Sequence, residues 1–234
     1  MDISELVRKC YEMNIALKKE DLVVLNFGNA SVCDRTTGLF AIKPSGFGYG
    51  GDELKPEDIV VLNLAGEKVH GNLKPSSDTP THLFLYQQFP TITSVVHTHS
   101  TYATAWAQSG RDIPVYGTTH ADFTMAPIPC TEPLSESQLR GEYERETGVA
   151  IKEILEKRHL TYQETSMCIV FGHGAFTWSS ESNTALVNAI ALETIAKMAA
   201  WTEKLNPDVQ VIPKNMAEKH FNRKHGKSAY YGQA

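Results

Sequence analysis

The chain has 234 residues, 41% hydrophobic and 21% charged, the balance of a globular protein able to bury a core. A formal net charge of −5, with Lys and Arg scattered except for the run Arg223 to Lys227, excludes phosphate-backbone recognition, which needs a clustered basic surface. No segment has the apolar length of a membrane span, and Asp2, Glu5, Arg8, Lys9 and Glu12 do not form the apolar run of a secretory leader. The four cysteines (Cys10, Cys33, Cys130, Cys168) are far apart and lack a Cys-x-x-Cys pair, which suits free thiols in a reducing compartment. The expected setting is cytoplasmic, with neither a nucleic acid nor a membrane as partner.

Asp2 and Glu5 have capping-box character, and Leu6, Val7, Cys10, Met13 and Leu17 recur at helical spacing, predicting an amphipathic helix over 3–19 that faces a sheet. Residues 22–25, 30–34 and 39–42 read as strands, the last two joined by a turn at Thr36, Thr37 and Gly38. Residues 59–64 and 67–70 form another hairpin around Ala65 and Gly66. Thr79 and Pro80 open a short helix reaching Phe89, Ile92 to His99 is strand-like, and a helix follows over 101–109. Thr118 to Leu134 reads as a Pro-rich loop, and Gly148 to His159 as part of a helix that starts near Ser135. Met167 to Phe171 is a buried strand ending at Gly172, and Ser180 caps a long helix to about Leu205. Pro207 and Pro213 break that helix before a last one over 214–224 and a polar tail from Gly226. Helices between hairpins predict one domain over 1–234, a three-layer α/β/α arrangement with a mixed, mainly antiparallel central sheet.

His97 and His99 stand two apart on a predicted strand, so both side chains leave the same face, close enough to chelate one ion. His173 lies in Phe171-Gly172-His173-Gly174, where flanking glycines let the backbone come close to a site at the end of a buried strand. Three neutral imidazoles with an open fourth position describe a catalytic rather than a structural zinc site, although imidazole also accepts other divalent metals. His70, His82 and His159 read as solvated or locally hydrogen-bonded, while His120 and His220 are candidates to support the site. Three stretches rich in small donors, Gly28-Asn29-Ala30-Ser31, Lys43-Pro44-Ser45-Gly46 and Pro75-Ser76-Ser77-Asp78, would together cradle a phosphate dianion without a large basic surface. They lack the glycine-rich nucleotide fingerprints, so the expected ligand is a small phosphate ester.

Lys43-Pro44-Ser45-Gly46, Pro75 to His82, Val96-His97-Thr98-His99-Ser100, Gly117-Thr118-Thr119-His120-Ala121-Asp122 and the tail His225-Gly226 to Tyr230-Tyr231-Gly232-Gln233 jointly resemble the L-ribulose-5-phosphate 4-epimerases of the class II aldolase superfamily. The resemblance implies zinc on His97, His99 and His173 with Asp78 close to the metal, and phosphate held by Asn29, Lys43, Ser45, Gly46, Ser76 and Ser77. It further implies Asp122 and Tyr231 as the acid/base pair, with Thr118, His220 and Arg223 near the site. A homotetramer is implied, with active sites between subunits and Tyr231 reaching in from the neighbouring chain. The implied reaction is C4 epimerisation of L-ribulose 5-phosphate to D-xylulose 5-phosphate in arabinose, ascorbate or other pentose catabolism. Proton removal at C4 has no electron sink, because that hydrogen is not adjacent to the C2 carbonyl, so C3–C4 cleavage and re-addition is the expected route. The rival activity is aldol cleavage of fuculose or rhamnulose 1-phosphate, whose enzymes are expected to carry a glutamate base where this chain has the shorter Asp78. A zinc-stabilised β-barrel binding module would instead have few helices.

Overall fold

The computed structural model describes residues 1–47, 53–181, 184–225 and 229–230. Helix α1 (Ile3–Lys19) starts where the Asp2 carboxylate accepts a hydrogen bond from the Glu5 amide, and its stripe of Leu6, Cys10, Met13 and Leu17 is buried. Asp21 and Leu25 then take positive φ values of 53° and 56°. Left-handed residues turn the backbone out of the extended course a strand needs. The strand expected over 22–25 is therefore absent, and Val24 meets Phe27 only as an isolated bridge.

The strands are β1 (Gly28–Asp34), β2 (Leu39–Ile42), β3 (Val60–Asn63), β4 (Lys68–His70), β5 (Ser94–Thr98), β6 (Met167–Val170) and β7 (Gly174–Ser179). They form one sheet in the order β4-β3-β2-β1-β5-β7-β6, and all the strand pairs are antiparallel. This corrects the mixed sheet. Mixed pairing requires an intervening helix to return the chain parallel to its neighbour; here β5 enters between β1 and β7 and runs against both. The only parallel contact among the described residues is the isolated bridge between Cys130 and Ile169.

The remaining helices are α2 (Thr79–Gln88), α3 (Thr101–Ser109), α4 (Thr118–Ala121), α5 (Glu136–Arg140), α6 (Tyr143–Lys157), α7 (Thr184–Leu205) and α8 (Lys214–His225). Leu85, Ile151 and Ile154 of α2 and α6 pack with Phe40, Ile42, Phe176 and Trp178 on one face of the sheet. On the other face α1 packs with Ala30, Val32 and Val61, and α3 and α7 with Ile169 and Ala175. The three α/β/α layers are thus as expected, and they exclude the β-barrel alternative. The single helix expected from Ser135 to His159 is two helices: Ser135 and Gln138 form a capping box, and Gly141, at φ −89° and ψ −137°, leaves the helical conformation and ends α5. Helix α4 lies inside the stretch read as loop, and the described part of α7 begins at Thr184.

Candidate metal centre and substrate cleft

Alternation along β5 puts Val95 and His97 on the face covered by α2 and α6. In register, His97 stands between Asn29 on β1 and Phe176 on β7. Its ring stacks on Phe176 with centroids 4.2 Å apart. His97 Nδ1 lies 3.0 Å from the Ala175 carbonyl oxygen, which can only accept. That bond assigns the proton to Nδ1 and leaves the Nε2 lone pair for a ligand. His99 follows the end of β5 and brings its Nε2 to 3.1 Å from His97 Nε2.

His173 sits in the tight turn between β6 and β7, its ring centroid 4.7 Å from that of His97 and 4.9 Å from that of His99. Ligand nitrogens of His97, His99 and His173 all lie within 4.8 Å of one another, the one such group of three or more potential metal ligands among the described residues. A Cβ at Gly174 would stand 2.5 Å from the Thr98 carbonyl oxygen, so only glycine lets β7 lie this close to the histidine-bearing strand. Burial pushes His97 down to about 3 and also lowers His99 and His173, keeping the imidazoles neutral at neutral pH, as metal coordination requires. Convergent neutral imidazoles suit a borderline divalent cation, so the donor set fits the implied metal.

These histidines share a cleft of about 400 Å³ with Asn29, Lys43, Ser45, Gly46, Ser76, Ser77 and Asp78. The loops are strapped together: the Ser45 amide donates to Lys74 O, and the Ser76 amide to Lys43 O, each at 2.9 Å. Lys43 Nζ donates to the carbonyls of Gly28 (3.1 Å) and Asn26 (3.3 Å), and burial lowers its pKa against the opposing pull of Asp78. Asn29 Nδ2 donates to Asp78 Oδ2 at 2.6 Å and to Ser76 Oγ at 3.2 Å. Burial favours the protonated form of Asp78, but the neighbouring imidazoles of His97 and His82 and the Asn29 bond outweigh it and hold the carboxyl below its ordinary value. Asp78 lies beside the histidines without joining the set of converging ligand atoms.

The remaining predicted residues gather elsewhere. Asp122, at the end of α4, accepts from Arg223 Nη2 through both oxygens at 3.0 and 2.8 Å, with His220 Nδ1 at 3.2 Å and Lys224 Nζ at 3.3 Å. Burial favours its neutral form, but bonds from Arg223, Lys224 and His220 prevail and keep it ionised. Thr118 begins the same short helix. None of these residues lines the histidine cleft within one chain. Tyr231, and Gly48, Gly50 and Gly51 of the loop after Gly46, lie outside the described residues.

Two of the remaining histidines are buried. His82 is fully buried, and its ring bond goes to Ser31, far away in the chain, rather than to water or a local partner; His120 is buried with Nε2 3.0 Å from Ala126 O, whereas His70 and His159 are exposed as expected. The sequence reading missed Tyr143 and Glu144, which line the cleft. Tyr143 Oη lies 3.5 Å from His173 Nδ1, and only its place just after the Gly141 break could have drawn notice. All four cysteines are free and buried, and burial raises their thiols, which removes them from the chemistry.

The family model for the class II aldolase and adducin N-terminal domain matches residues 8–200. Among solved structures, an L-fuculose 1-phosphate aldolase is 25% identical with a TM-score of 0.79, covering 95% of this chain and 97% of that one. YgbL from Escherichia coli, described as a putative aldolase/epimerase/decarboxylase, is 20% identical with a TM-score of 0.72, covering 92% of this chain and 97% of that one. The L-fuculose-1-phosphate aldolase from Thermus thermophilus is 22% identical with a TM-score of 0.64, covering 88% and 97% respectively. With its sheet, its helical layers and the greater part of its length matched, the chain belongs to the class II aldolase and adducin N-terminal domain family.

Proposed function

We propose that the protein is a metal-dependent L-ribulose-5-phosphate 4-epimerase of pentose catabolism that forms D-xylulose 5-phosphate by breaking and remaking the C3–C4 bond. The observation that carries this reading is Asp78. The carboxylate beside the histidines is the short acidic side chain, with Oδ2 taken by Asn29 at 2.6 Å, so it is an anchored acceptor rather than a reaching base. Bound by His97, His99 and His173, a divalent ion, zinc in this proposal, supplies Lewis acidity that polarises a carbonyl and steadies charge on oxygen.

The chain's own residues account for the rest. Lys43, the Asn29 amide, the loop at Ser45 and Gly46 and the hydroxyls of Ser76 and Ser77 hold the phosphate dianion. That grip retains the glycolaldehyde phosphate fragment while its carbonyl turns to present the opposite face. Asp122, ionised by its cationic neighbours, accepts the proton of the C4 hydroxyl, and Tyr231 donates from the other side, a role suited to a phenol of pKa about 10. Since Asp122 lies away from the histidine cleft of its own chain, the proposal includes a homotetramer in which the neighbouring subunit supplies Asp122 and Tyr231.

A second reading, aldol cleavage of a ketose 1-phosphate, is favoured by the 25% identity to an L-fuculose 1-phosphate aldolase. Incubation of the zinc-loaded protein with L-ribulose 5-phosphate and, separately, with fuculose and rhamnulose 1-phosphates distinguishes the two. Formation of D-xylulose 5-phosphate supports the epimerase. Release of dihydroxyacetone phosphate without any xylulose 5-phosphate establishes the aldolase instead.

A further inference from the structure

Between β1 and α2 runs a file of buried polar contacts whose deeper members, Ser31, His82 and Tyr86, have no part in the roles above. Asn29 and Ser31 lie on one face of β1, and Asp78, His82 and Tyr86 recur every four residues along one side of α2. Asn29 holds Asp78 at the cleft end. One turn deeper, Ser31 Oγ is 2.7 Å from His82 Nδ1 and 2.7 Å from Tyr86 Oη. Ser31, His82 and Tyr86 are all essentially inaccessible to solvent.

A count of protons orders the file. Ser31 has one hydroxyl proton and two partners, so it donates to one and accepts from the other. If it donates to Tyr86, then the Tyr86 proton and the His82 Nε2 lone pair are both stranded. If it accepts from Tyr86 and donates to His82 Nδ1, only the His82 Nε2–H lacks a partner, which is the less costly arrangement. His82 is then a neutral imidazole protonated on Nε2, in keeping with the burial that depresses its pKa. Its ring also meets Phe176 edge-on, with centroids 6.2 Å apart. Phe176 also stacks on the ring of His97.

A buried imidazole with a stranded N–H is a costly occupant of a core position. We propose that His82, locked by Ser31 and Tyr86, is a positioning residue that sets where Asp78 and the His97 ring stand in the metal site. It fixes the seating of α2 on β1, and so places Asp78 at the head of that helix. Through Phe176 it limits the tilt of the His97 ring.

This inference rests on the reading of the three histidines as a metal centre. The test compares wild type with Ser31→Ala, His82→Leu and His82→Asn, whose amide oxygen can still accept from Ser31. Two quantities are measured on metal-free protein: Zn2+ affinity by competition with a chromophoric chelator, and the midpoint of thermal unfolding. Loss of a group that orients a ligand weakens metal binding by roughly 10- to 100-fold. We therefore expect Ser31→Ala and His82→Leu to lose at least about tenfold in Zn2+ affinity, beyond any loss of thermal stability, and His82→Asn to recover most of it. Wild-type Zn2+ affinity in Ser31→Ala and His82→Leu overturns the proposal. So does a loss that merely tracks thermal stability and is equal in His82→Asn and His82→Leu. Should His82→Leu fail to fold, Ser31→Ala and His82→Asn decide. Absence of Zn2+ binding by wild type overturns the metal reading and this proposal with it.

Discussion

Replacing Gly174 with alanine tests the close approach on which the metal site depends. The new methyl carbon would lie 2.5 Å from the Thr98 carbonyl oxygen and 3.3 Å from His97 Cε1. A Cβ cannot rotate away, and the oxygen belongs to backbone, so β7 and β5 must part by roughly 0.9 Å to restore ordinary contact in a close-packed interior. His173 immediately precedes this glycine, and the carbonyl of Ala175, which follows it, orients His97. Metal–ligand distances tolerate only about 0.2 Å, so a displacement of that size separates the donors beyond what one ion can bridge. Overpacking of this kind costs about 1–3 kcal/mol of stability, and Zn2+ affinity should fall about 100-fold or more. Chelator competition gives the affinity, and urea unfolding of the metal-free protein gives the stability. Wild-type Zn2+ affinity in Gly174→Ala would refute the reasoning.

Three further outcomes are expected. Lys43→Met should leave Zn2+ content unchanged while lowering kcat/KM for the phosphorylated pentulose about 10- to 100-fold, the worth of one charge-assisted contact; steady-state kinetics on metal-analysed protein checks it, and unchanged kinetics removes Lys43 from the phosphate clamp. Glu193 on α7 accepts from the Tyr102 and Ala103 amides at 2.9–3.1 Å and so caps α3 just after His99; Glu193→Ala should cost about 1–2 kcal/mol in urea unfolding, and a neutral result would show that water replaces the carboxylate. Burial lowers His82 and His120 to about 4, below the unfolded value of 6.5, so the unfolded chain takes up protons first as the medium is acidified. The stability due to their neutral forms is complete above pH 6.5 and is lost as pH falls toward 4; urea midpoints at pH 7.5 and 5.0 should differ less in His120→Asn than in wild type, and an equal difference would contradict the assignment.

The histidine cluster was legible because two simple signals write it into the chain: residues two apart on an extended segment share a face, which pairs His97 with His99, and glycines at a strand end announce a close approach at His173. The donor-rich loops were legible for a similar reason, since Lys43, Ser45 and Ser76 occur where turns must form, whereas Asn29 lies within β1 opposite His97. β7 was not seen, because reading the buried strand as ending at Gly172 hid that a tight turn folds Gly174 to Ser179 straight back onto β6. His82 was misjudged because its polarity suggests water, while its partner Ser31 lies 51 residues away in the chain and becomes a neighbour only when α2 seats on β1. The all-antiparallel sheet likewise depends on where β5 inserts, a long-range pairing that local pattern does not encode.

The measurement that bears most directly on the central claim is a coupled assay for D-xylulose 5-phosphate from L-ribulose 5-phosphate, run on metal-analysed protein before chelation, after chelation and after return of Zn2+. The account predicts turnover by the loaded protein, its loss as the metal is removed, and its recovery on reloading. Turnover that survives complete metal removal, or a loaded protein that cleaves ketose 1-phosphates and forms no xylulose 5-phosphate, would contradict it.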